Sequence, residues 1–217
     1  MANYSAFIIG GSVKSIVSAI VQITALTMFC SSVLLAQLPT TPEEQAALML
    51  KYQEQAEPGP EHLKLAELAG NWIYQNKVWM SPAETAPVVV DGKAEAKMIL
   101  GGRFLQMTSS SSYLGIPYEE LLMIGFDRRS SEYTTVRFDN MGTYWVATQG
   151  PVDKETGLIV MEGKDIDPVE GIELKFKNIC EIKNKDLFTF SVVFTDSVMS
   201  QGTGNFKMVE IVYNRAK

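Results

Sequence analysis

The sequence predicts an all-β fold: about ten antiparallel strands that run up and down and close into a barrel, preceded by one or two short helices. Three observations carry that prediction. From Trp72 onward, ten segments alternate apolar and polar residues or are rich in β-branched and aromatic ones, among them "NWIYQNKVWM", "YEELLMIGF", "LFTFSVVFT" and "FKMVEIVYNR". Turn formers separate them at Gly101-Gly102, Asp127 to Ser131, Asn140-Met141-Gly142, Asp153 to Gly157 and Asn184-Lys185-Asp186. No helical period of useful length returns after Gly70. Short connections between consecutive strands give a meander, and a meander of this size removes its exposed edges by closing on itself.

The chain has 217 residues, enough for one proper core. Its first segment reads as an export signal: Ile16 to Ala36 is uncharged and apolar, with Lys14 as the positive flank. Cleavage after Ala36 would leave an exported protein, periplasmic or extracellular. The rival reading is a retained anchor, because these residues would span about 31 Å as a helix. Residues 15–36, if uncleaved, are then the one route to a membrane. Removing residues 1–36 takes away one positive charge and no negative one, so the net charge of −6 becomes −7. A chain this acidic, without a basic stripe, is not expected to bind nucleic acid. Removal also leaves Cys180 without a disulfide partner; in a strand-like run beside Ile179 and Ile182 it reads as a buried thiol.

Residues 37–57 read as a helical spacer. Thr41 is an N-cap, Pro42 takes the first helical position and Glu44 stands three residues after the cap, so a helix should run to about Ala56 and stop before Pro58. A second helix starts at Pro60 and ends at Gly70. At 100° per residue it gathers Leu65, Ala69, His62, Ala66 and Leu63 on one face. That face turns the only histidine of the chain toward whatever the helix covers. A lone histidine and a lone mature cysteine make a zinc site of the usual ligand types improbable, and no cofactor is indicated.

Residues 58–217 form the barrel domain in this reading. Gly70-Asn71-Trp72 at the entrance to the first strand resembles the G-x-W signature of calycin barrels, the lipocalin and fatty-acid-binder group. The resemblance implies that Trp72 seals one end of the barrel and that Arg215, in the closing "VYNR", stacks over it by a cation-aromatic contact. A longer pattern, "PGPEHLKLAELAGNW", "AEAKMILGGRFLQ", "FDNMGT" and "MVEIVYNR", resembles the family known as domain of unknown function 1579. It covers about residues 58 to 216, and it implies a fold while assigning no activity.

For function, the preferred reading is a binder of a small hydrophobic molecule in the barrel interior. Met98, Met107, Met123, Phe176 and Phe190 would either line such a pocket or fill the core. An enzyme is the less favoured reading, since paired His and Cys ligands, a G-x-S-x-G elbow, a phosphate loop and H-E-x-x-H are all missing from the sequence. It would rest on a polar cluster at the barrel mouth made of His62, Arg103, Asp139 and Asn140, which are also the candidate ligand-binding residues. The third reading is an envelope interaction domain tethered through the N-terminal segment.

Overall fold

The computed structural model describes residues 41–217. The expected export segment lies outside these residues. Among the described residues no helix is long and apolar enough to cross a membrane.

Helix α1 (Pro42–Ala56) buries none of its side chains. Its start is a reciprocal capping box: Glu44 N–H donates to Thr41 Oγ1 at 3.2 Å and Thr41 N–H donates to Glu44 Oε2 at 3.1 Å. Residues 55–217 form a compact unit of their own. That unit opens with helix α2 (Pro60–Ala66), which buries His62 and Leu65. The helix stops at Ala66, short of Gly70, and this changes which side chains point inward. Leu63 is exposed, while Leu68, brought round by the turn, is almost fully buried beside Leu65.

Ten strands follow: β1 (Gly70–Val78), β2 (Val88–Ile99), β3 (Phe104–Tyr113), β4 (Ile116–Asp127), β5 (Glu132–Asp139), β6 (Trp145–Gly150), β7 (Ile159–Ile166), β8 (Glu173–Asn184), β9 (Leu187–Phe194) and β10 (Phe206–Arg215). Each pairs antiparallel with the next, and β1 pairs with β10 from Trp72 opposite Arg215 to Val78 opposite Val209, so the sheet is a closed barrel. Alternation sends one face of each strand inward. On β2 the inward positions include Gly92, Ala94 and Ala96, small residues that leave room for the large ones on β1. Gly92 lies opposite Tyr74, and a Cβ there would sit 2.2 Å from the Tyr74 ring. On β4 Leu122 and Ile124 point in, which puts Met123 in the outward phase; Met107, Phe176 and Phe190 are interior core residues. Cys180 is a free, buried thiol, and burial pushes its pKa up to about 12.

Because the barrel is a meander, successive connections lie at alternate ends. One end carries the start of β1, the end of β10 and the β2–β3, β4–β5, β6–β7 and β8–β9 connections; α2 packs there. The other end carries the remaining five connections. The tightest of these, Leu114-Gly115 between β3 and β4, holds both residues at positive φ (51° and 84°), the backbone of a type I′ hairpin turn.

Candidate functional site

The α2 end is filled. Trp72 is buried, its Nε1–H donates to the Leu68 carbonyl at 2.9 Å, and Phe188 meets its ring edge-on at 4.8 Å. The Arg215 guanidinium lies 4.4 Å from the centre of the Trp72 ring. Arg215 donates in addition to the Ala69 carbonyl at 2.9 Å, to the Glu67 carbonyl at 2.6 Å and to the Lys185 carbonyl at 2.8 Å, and it pairs with Asp186 at 2.9 Å. It thus satisfies carbonyls left over at the end of α2 and ties them to the β8–β9 turn. Gly70 has φ +134°, and a Cβ there would lie 2.5 Å from Arg215 Nη1. The glycine is therefore required both by its backbone and by the arginine it admits. Beneath this layer Leu65, Leu68, Tyr133, Cys180 and Phe188 enclose a void of only about 10 Å³.

His62 belongs to the same end. It is the third residue of α2, and its Nδ1 accepts the Gly59 N–H at 3.0 Å, so the imidazole does the work of the glutamate in a capping box. The Phe126 ring packs against the imidazole edge-on at 6.0 Å. Burial lowers the His62 pKa; Glu61 opposes the shift, while Arg128 and Arg103 add to it. Arg103 is near the surface of this end, donating to the Leu100 carbonyl at 3.3 Å and lying 3.9 Å from Glu57.

Asp139 and Asn140 lie at the opposite end. Asp139 Oδ1 accepts the Met141 N–H at 2.9 Å and shapes the β5–β6 turn. Asn140 clips that turn to β4, accepting the Glu119 N–H at 3.0 Å and donating to the Pro117 carbonyl at 3.0 Å. The four candidates therefore do not form one cluster. His62 and Arg103 sit beside α2, Asp139 and Asn140 at the far rim, and the meander keeps them a barrel length apart.

At the far end the barrel is hollow. A cavity of about 290 Å³ opens there, with Met80, Met141, Met208 and Val90 in its apolar wall and Tyr118, Glu120 and Arg137 toward its floor. A smaller space of about 60 Å³ continues inward from Glu120 and Arg137 past Asp165 and Asn178. Glu120 is the centre of this floor. Its side chain is about nine-tenths buried, Oε2 accepts the Tyr118 hydroxyl at 3.0 Å, and Arg137 Nε stands 3.9 Å from the same oxygen. Burial raises the Glu120 pKa from its ordinary value; Arg137 and the Tyr118 hydroxyl pull it back, and Asp139, its partner in the β4–β5 register, adds to the rise. The Tyr118 hydroxyl is likewise pushed up, first by burial and then by Glu120. Below the floor, buried Thr135 and Thr148 hydroxyls bond at 2.6 Å, and Asn178 donates to Thr148 at 3.2 Å. Three buried oxygens around these spaces, Asn76 Oδ1, Ser109 Oγ and Asn178 Oδ1, have no hydrogen-bond partner among the described residues.

Glu120 and Arg137 are absent from the candidates that the sequence suggests, although a signal for both is present. In "YEELLMIGF" Glu120 falls in the phase of Leu122 and Ile124, and in "EYTTVRF" Arg137 falls in the phase of Tyr133 and Thr135. A charge in the inward phase of a strand marks an interior polar site. Among the described residues no group of three His, Cys, Asp or Glu side chains is arranged to hold a metal ion.

The fold and site define a class: a closed ten-stranded antiparallel barrel, sealed by a helix, a tryptophan and an arginine at one end and hollow at the other. The chain belongs to the family described as "Protein of unknown function (DUF1579)", whose model matches residues 57–215. Among solved structures it is similar to the crystal structure of Rv2717c from M. tuberculosis, at 17% identity and a TM-score of 0.52 over 74% of this chain and 100% of that one. At that identity the likeness concerns the fold alone. No curated protein matches the sequence.

Proposed function

We propose that this protein binds a small amphipathic molecule in the hollow end of its barrel, with the apolar part among Met80, Met141, Met208 and Val90 and the polar end toward Glu120 and Arg137. What carries the reading is the cavity of about 290 Å³ with an apolar wall over a charged floor. Ligand sites are concave, mostly apolar and fitted with a few fixed polar groups, and run upward from about 300 Å³, so this one suits a small molecule. Methionines in the wall support adaptable packing. The unpartnered Asn76 and Ser109 oxygens support it further, because buried polar groups without partners are costly unless a ligand or water satisfies them. His62 and Arg103 take no part in this reading.

The test is a titration of the full-length protein with a neutral solvatochromic dye. Saturable binding is expected, and Ser111→Phe, which projects a ring into the cavity from β3, should weaken it by about tenfold or more, equivalent to about 1.4 kcal/mol. Absence of saturable binding, or equal affinity in a Ser111→Phe protein with an unchanged unfolding midpoint, would contradict the proposal.

A further inference from the structure

Every polar group that lines the hollow end can be sorted by what it lacks. Glu120 has one oxygen engaged, by the Tyr118 hydroxyl, with Arg137 3.9 Å away on the same side; its Oε1 receives no hydrogen bond from a described residue. The unpartnered atoms around it, Asn76 Oδ1, Ser109 Oγ and Asn178 Oδ1, are oxygens, and Ser109 and Asn178 are both more than nine-tenths buried. The two amide oxygens can only accept, while the Ser109 hydroxyl can donate or accept. Charge runs the same way. Glu120 and Asp165 face the interior against one cation, Arg137, and Asp139 adds a further carboxylate beside Glu120. Four tyrosines, Tyr74, Tyr113, Tyr118 and Tyr213, contribute to the lining.

An incoming carboxylate would bring another negative charge against buried Glu120, where carboxylates already outnumber the single cation Arg137. A hydroxyl would supply one donor. An ammonium group supplies three donors and the missing positive charge, and aromatic rings add a favourable cation-π term. We infer that the polar end of the ligand is a protonated amine, paired with the Glu120 carboxylate at the floor of the cavity. The inference rests on the proposal that the cavity binds a small molecule, and it sets this barrel apart from one that would hold an acid on its interior arginine.

The experiment compares three probes of one chain length, octylamine, octan-1-ol and octanoate, by isothermal titration into the full-length protein at neutral pH. Octylamine should bind about tenfold or more tightly than octanol, and octanoate should be weakest. Glu120→Gln should bring octylamine down to the affinity of octanol. Arg137→Gln, which removes the competing cation, should tighten octylamine instead, and it keeps the test decisive if the Glu120 variant fails to fold. Equal affinities for amine and alcohol, or a preference for octanoate, would overturn the amine assignment while leaving the pocket in place. If none of the three binds, the pocket proposal fails, and the assignment of its ligand fails with it.

Discussion

At His62 the imidazole Nδ1 accepts the Gly59 N–H, so that nitrogen is unprotonated and the neutral ring fits where a ring protonated on both nitrogens does not. Burial lowers its pKa below the ordinary value of 6.5. The sign of the consequence follows from linkage: the unfolded chain binds the proton more readily, so this contribution to stability is complete above about pH 6.5 and is lost as pH falls through the folded-state pKa. Denaturant midpoints measured from about pH 7 to 5 should therefore decline. In His62→Gln the decline should be shallower, since glutamine can still accept the Gly59 N–H but does not titrate. An identical slope in both proteins would assign the pH dependence elsewhere. Asp127, partly exposed and held to about 2 by its hydrogen bonds from Arg129, loses its own contribution only at much lower pH and does not confuse that window.

Among the elements, the sealed end joins α2, β1, the β8–β9 turn and β10 through two side chains. Trp72→Ala should cost about 3–5 kcal/mol, the usual loss for a truncated buried aromatic. Arg215→Ala should cost less, about 1.5–3 kcal/mol, because partly exposed hydrogen bonds from a charged group are lost without opening a large cavity. Chemical denaturation of both variants checks the order; a Trp72→Ala protein with an unmoved midpoint would remove the tryptophan from its structural role. Much at this scale was readable in advance. "GNW" and Arg215 were legible through the resemblance to calycin barrels, and the Thr41-Pro42-Glu44 cap through the residue types that a helix start demands. The Leu114-Gly115 turn was not, because leucine at positive φ (51°) goes against the local rule. The inward face of α2 was half legible, since it depended on where the helix stopped.

For the molecule as a whole, one barrel is divided into a filled end, packed around Trp72, and a hollow end that holds the cavity in which we propose a ligand binds. Periodicity and turn chemistry carried the strand count and the meander, because alternation and short connections are local properties. The site was less accessible. Asp139 and Asn140 were picked as polar residues near a motif, yet their neighbours at the rim, Glu120 and Arg137, become interior only when strand phase is followed through β4 and β5. Which end is hollow depends on the packing of all ten strands, and nothing local encodes it. The direct measurement is therefore one of location. Amide and methyl chemical-shift mapping of the labelled protein, titrated with octanol or octylamine, should show saturating changes at Val90, Ser111, Met141 and Met208 on the hollow end and little at Leu65, Leu68, Trp72 and Phe188. Saturating changes centred on the α2 end, or none anywhere up to the solubility limit of the probes, would contradict the account.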